Sequence, residues 1–140
     1  MNNGLYYELE RIQLCEDWAK YTAQRLQKSI ARFKIGASGS LNYSILYQLM
    51  GISGGDVGSI KHEFNYYGKF VDMGVGRGTK IESVMGNADI ISLIGGKSRR
   101  PKRWLSKTYY AEVAELSSLL SAKYGDQYTN IIKEQITKSV

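Results

Sequence analysis

Cysteine, proline and histidine each occur once in this chain of 140 residues, and that scarcity closes several routes at once. A lone Cys15 has no partner for an internal disulfide, which implies a reducing compartment or indifference to redox. It reads as a small buried side chain on a helix, not a nucleophile, because no histidine lies near it in sequence. One cysteine and one histidine leave too few of the usual ligands for a protein-only zinc site. No working pair of carboxylates, no serine with a base and no cysteine with a base can be assembled, so no catalytic residue, cofactor or metal is expected. Long apolar runs are missing as well. None reaches the length of a membrane span, and the N-terminus lacks the charged-then-apolar pattern of a signal sequence. The expectation is a soluble, non-enzymatic protein used in the cytoplasm, with residues 1–140 forming one domain.

What the chain has in quantity is tyrosine and positive charge. Eleven tyrosines suit interfaces, because each joins a large apolar ring to a polar tip; a tyrosine-rich rim around the core is the plainer alternative. Nineteen basic against 13 acidic residues give a net charge of +6, which favours an acidic partner, either nucleic acid or an acidic protein surface. The 43% apolar fraction is that of an ordinary globular chain.

Leu5, Leu9, Ile12, Cys15, Ala19, Ala23, Leu26, Ile30 and Phe33 recur every three or four residues and predict one long amphipathic helix, with Gly36 as its stop signal. Gly36 to Ile45 carries small hydroxyl and glycine residues and reads as a loop in which Ser38 or Ser40 caps a short helical turn. From Asn42 to Ile52 a strand is favoured, with a short helix over its first half as the alternative. Ser53-Gly-Gly-Asp56 is a turn signal, and the segments around it predict a β-hairpin. Its second strand, Ser59 to Phe64, places Ile60, His62 and Phe64 on one face. His62 therefore reads as a hydrogen-bonded core or rim histidine.

Phe64 to Lys80 follows, an aromatic knuckle (Tyr66, Tyr67, Phe70, Val71, Met73) that opens into glycines at every second position, Gly74, Gly76 and Gly78. The knuckle reads as a packing device, with Phe70 buried between sheet and helix. Gly74 to Gly96, which carries Ile90, Ile91, Leu93 and Ile94, reads as an extended arm whose isoleucines need a partner to cover them. The order Gly-Arg-Gly-Thr-Lys80 is not that of a phosphate loop, and the glycine spacing is not that of a dinucleotide fold. Lys97, Arg99, Arg100, Lys102 and Arg103 crowd around Pro101 ahead of Trp104. Three readings stand for this run: phosphate contact, a solvated linker that seats the last helix, or pairing with acidic residues of a neighbouring subunit. From Leu105 onward Tyr109, Val113, Leu116, Leu120 and Tyr124 predict a long C-terminal helix, kinked at Gly125-Asp126 and continued by Tyr128, Ile132 and Ile136. The fold class is thus α+β: a long N-terminal helix, a small antiparallel sheet with a hairpin and an extended arm, and a long C-terminal helix packed on the sheet.

Taken in order, these pieces resemble the tail-completion and head–tail joining proteins of tailed bacteriophages. After a long first helix, that family has a Thr/Ser-Gly-x-Leu-x-x-Ser motif, matched by Ser38-Gly-Ser-Leu-Asn-Tyr-Ser44. A hairpin and a Tyr-Ala/Gly-x-Phe/Tyr-Val-Asp/Glu-x-Gly turn come next, the latter matched by Tyr67-Gly-Lys-Phe-Val-Asp-Met-Gly74. A Pro-x-x-Trp/Phe-Leu segment opens the last helix, matched by Pro101-Lys-Arg-Trp-Leu105. The chain departs from the family in its long Ile81 to Gly96 insert. The resemblance implies a structural virion protein, made in the bacterial host cytoplasm, that forms a cyclic ring of six or twelve copies between capsid and tail. It implies portal, connector or tail proteins as neighbours and DNA passing through the lumen. On that reading Tyr67, Phe70, Gly74, Gly76, Arg77, Gly78, Ile90, Ile91 and Ile94 belong to the subunit interface, and Lys97, Arg99, Arg100, Lys102 and Arg103 are the candidate phosphate contacts. The alternative function is a small basic regulator that binds nucleic acid.

Overall fold

The computed structural model describes residues 3–36, 39–74 and 100–139. The predicted first helix is present as α1, Asn3–Arg32, followed by one turn of helix, α2, Ser40–Tyr43. A two-stranded antiparallel hairpin pairs β1, Leu46–Met50, with β2, Ser59–Glu63. A short helix α3, Tyr67–Met73, and a long helix α4, Ser106–Lys138, complete the described elements. The architecture is α+β, as the sequence predicts.

The described residues fall into two compact units. The first comprises α1 up to Ala23, the hairpin from Tyr47 to His62, and α4 from Tyr110. Its buried seam along α1 is Cys15, Trp18, Ala19, Thr22 and Ala23, at helical spacing. Burial pushes the Cys15 thiol pKa up, which keeps it neutral and unreactive. The Trp18 and His62 side chains of this unit are answered by backbone, whereas the buried Thr22 hydroxyl has no hydrogen-bond partner among the described residues. The Trp18 indole donates to the Glu112 carbonyl at 2.8 Å, and His62 Nε2 lies 2.9 Å from the Ala19 carbonyl oxygen. His62 is therefore the satisfied rim histidine its strand position suggests, edge-on to Trp18.

Arg11 ties three elements of this unit together. Its guanidinium donates to Gln127 Oε1 on α4 at 2.8 Å and to the Gly54 carbonyl in the hairpin turn at 3.2 Å. The same group pairs with Asp56 and lies over the Tyr124 ring. Tyr124 donates its hydroxyl proton to Asp56, and that bond is the main reason its pKa is raised. The turn itself sits hard against α1: at Gly55, with φ +80, an added Cβ would come within 2.5 Å of the Glu8 side chain. Glycine is required there on both counts.

The second unit comprises residues 24–46 and 63–109, as far as they are described. Its core is Leu26, Ile30, Ile35, Leu41, Ile45 and Trp104, with Trp104 wholly buried. The indole N–H donates to the Gly68 carbonyl at 2.9 Å, and Phe64 packs edge-on against the indole at 5.3 Å. A Cβ at Gly68 would lie 2.7 Å from Leu41 and 2.8 Å from Trp104. The buried glycine is the notch into which the indole fits.

Several local expectations are corrected. The aromatic knuckle is the helix α3, not a turn, with Tyr66 and Phe70 stacked edge-on four residues apart. Phe70 is only half-buried, and Trp104 holds the central place. The segment from Asn42 divides into the end of α2 and then β1, so the helical alternative holds for its first half. Gly39, at φ 68, caps α2 without a side-chain bond, while Ser40 Oγ pairs instead with the Tyr67 hydroxyl at 2.9 Å. Ser38 lies outside the described residues. At Gly125 the helix is not broken, since α4 runs continuously through it. One helical glycine costs only about 1 kcal/mol, which a helix of this length absorbs.

Two measurements check these points. Trp104→Ala should cost about 3–5 kcal/mol and Gly68→Ala about 1–3 kcal/mol in chemical denaturation, whereas Phe70→Ala should cost only about 1–2 kcal/mol. Gly125→Ala should stabilise by about 1 kcal/mol, because nothing lies within 4 Å of its added Cβ. A loss of stability there would show that the helix needs the glycine.

Candidate docking site

The three motifs that carry the phage resemblance meet in the second unit. Asp72 Oδ1 accepts from the backbone N–H groups of Leu105 and Ser106, at 2.9 and 3.0 Å, and so caps the start of α4. The Lys102 N–H donates to the Val71 carbonyl at 3.2 Å. Leu41 of the first motif packs beside Gly68 of the second, and Ser44 Oγ accepts from the Asn65 N–H at 2.9 Å. The chain thus leaves this joint at Gly74, whose φ of 75 terminates α3, and re-enters it at Arg100 to Lys102.

Beside the joint is a cavity of about 440 Å³ lined by Lys34, Ile35, Gly36, Val71, Gly74, Arg100 and Lys102. Ile35 is buried and Val71 half-buried, while Lys34, Arg100 and Lys102 are exposed at the rim. A second cavity of about 430 Å³ shares Lys34, Ile35 and Gly36 and extends along Ile30, Ala31, Gly39 and Asn42. Among the described residues no cluster of histidine, cysteine and carboxylate side chains is placed to hold a metal.

Lys34 reaches the rim by an unusual route. α1 ends with Ile35 N–H donating to the Ile30 carbonyl and Lys34 N–H to the Ala31 carbonyl, both at 3.1 Å. That bond pair needs a left-handed residue between them, a place usually taken by glycine. Lys34 occupies it at φ 52, the one non-glycine residue with positive φ among those described. The predicted stop at Gly36 therefore comes two residues too late; the helix turns off at a strained lysine.

The predicted site residues divide accordingly. Tyr67 is exposed apart from its bond to Ser40, Phe70 stacks on Tyr66, and Gly74 caps α3. Of the basic run, Arg100 and Lys102 stand at the cavity and Arg103 is exposed. Gly76, Arg77, Gly78, Ile90, Ile91, Ile94, Lys97 and Arg99 lie outside the described residues. Sequence reasoning missed Lys34 and Ile35 as site residues because they look like the unremarkable end of an amphipathic helix. The one available signal was a lysine where a helix-ending glycine is ordinarily found.

Lys34→Gly should relieve the left-handed strain and raise stability by about 1 kcal/mol in urea unfolding. Unchanged or lowered stability would show that the lysine side chain is itself a structural support.

No family model, no curated protein and no solved structure matches this chain.

Proposed function

We propose that this protein is a structural subunit of a ring at the head–tail junction of a tailed bacteriophage. The observation that carries the reading is the joint. The described parts of the three motifs, Gly39 to Ser44, Tyr67 to Gly74 and Pro101 to Leu105, far apart in sequence, are assembled around Trp104 and Gly68. Motifs that are individually weak thus acquire a common physical purpose. They hold the two ends of residues 75–99 in place, and the apolar Ile90, Ile91 and Ile94 lie in that stretch. A rigid joint carrying an apolar segment is what a subunit needs to grip its neighbour.

The first unit supports the same reading through the surface it leaves uncovered. Tyr128, Ile132 and Ile136 follow one another along α4 at four-residue steps, and each is more than half exposed. Leu5, Tyr6 and Leu9 on α1 are likewise exposed. So much apolar surface suits a chain that works in an assembly. No helix among the described residues is long and apolar enough to cross a membrane.

Electron microscopy of the purified protein tests the reading. Closed rings of six or twelve copies are expected, and deletion of residues 79–95 should leave a folded monomer by circular dichroism. A wild-type protein that stays monomeric at every concentration would overturn the proposal. A monomer that in addition binds duplex DNA steeply with falling salt would replace it with the nucleic-acid-binding regulator.

A further inference from the structure

Three cations line one cavity, and none of them pairs with another described residue. Lys34, Arg100 and Lys102 have no ion pair or side-chain hydrogen bond among the described residues. Placing like charges on one rim raises the local potential and favours an anionic visitor. Lys34 adds a second sign of purpose, since it holds a backbone conformation that glycine would adopt without strain. The chain keeps a charged side chain at that point although the backbone favours none.

The cavity floor decides what kind of anion fits. Among the described residues it is aliphatic, since the uncharged lining is the buried Ile35 and the half-buried Val71 with Gly36 and Gly74. A nucleic acid entering here would have to place a base against it. Among the described residues no aromatic side chain lines the cavity for stacking, and no side-chain amide or hydroxyl lines it to meet the base edge. The polar edge of the base would then be buried without partners, which is costly. A bare phosphate would use the rim and leave the apolar floor unfilled. A peptide that carries an apolar side chain between acidic ones uses both parts: the apolar group fills the floor while the carboxylates meet the three cations.

We infer that this cavity is a docking site for an acidic segment of another protein, an aliphatic or aromatic anchor flanked by Asp or Glu. The anchor sits on Ile35 and Val71, and the flanking carboxylates pair with Lys34 on one side and with Arg100 and Lys102 on the other. The cavity volume, about 440 Å³, is within the range of pockets that receive one large side chain with its flanking backbone. The inference does not rest on the ring: it uses only residues of the second unit and holds for any acidic protein partner.

Selection from a displayed random peptide library against the intact protein provides the test. The sequences recovered should share an apolar residue between acidic ones. A selected peptide should lose about tenfold in affinity to Lys34→Glu and to Arg100→Glu, and its binding should weaken with salt. Lys133→Glu, an exposed reversal on α4, should bind the peptide as wild type does. Lys34→Gln and Lys102→Gln serve as milder variants should a reversal impair folding, and each should weaken binding severalfold. Recovery of no acid-flanked consensus would overturn the inference, as would a selected peptide indifferent to every rim substitution. Displacement of the peptide by oligo-dT at lower concentration than by unlabelled peptide would also overturn it, and would assign the rim to nucleic acid.

Discussion

The second unit depends on one fit: the Trp104 indole in the notch left by Gly68. Burying an indole removes on the order of 150–250 Å² of largely apolar surface from water, worth about 4–6 kcal/mol. The gain is realised only if the ring N–H finds an acceptor, and the Gly68 carbonyl supplies it. It also requires that Gly68 have no side chain, because a Cβ would collide with both Leu41 and Trp104. Phe64 packs edge-on to the ring, the Asp72 carboxylate fixes the chain after Trp104 by capping α4, and the Val71 carbonyl fixes it before Trp104 by accepting from the Lys102 N–H. Remove the fit and the positions of α2, α3 and the start of α4 all lose their reference.

The first unit is held differently. Beside its apolar seam, the side chains of Arg11, Gln127 and Tyr124 form a polar set, with Arg11 linking the hairpin turn to α4. Gln127 is almost wholly buried, and its amide donates to the Tyr7 carbonyl at 3.0 Å, so α4 meets α1 through a specific bond. Such a set contributes less net free energy than apolar packing, but it penalises a wrong register, since any slip leaves buried groups unpaired. Apolar side chains are then free to remain on the outside. That arrangement is consistent with a chain whose hydrophobic surface is kept for a partner.

Within the second unit, the joint around Trp104 adjoins a cavity whose described lining joins Ile35 and Val71 with three cations. Preorganisation of this sort lowers the ordering cost when a partner binds. The strain at Lys34 is small beside the stability of the core, so it persists where a surface loop would relax it.

By itself the sequence determined the periodic elements. The three- and four-residue steps from Leu5 to Phe33, the turn at Ser53 to Asp56, the alternation through His62 and the long C-terminal pattern are local signals, and local backbone geometry answers to them. The tertiary structure decided where those signals were ambiguous or outvoted. Gly68 lies within a helix against its own propensity because the space above it is filled by an indole 36 residues away. Gly125 does not break α4, because a continuous helix costs less than a break with no contact to reward it. Lys34, not Gly36, ends α1, because Ile35 must return to bond the Ile30 carbonyl while its side chain enters the core. The cationic rim joins residues from both sides of α3, and no pattern within one stretch of chain encodes that meeting. Periodicity is a property of neighbours in sequence; a notch and a cavity are properties of residues brought together by burial, and only packing specifies them.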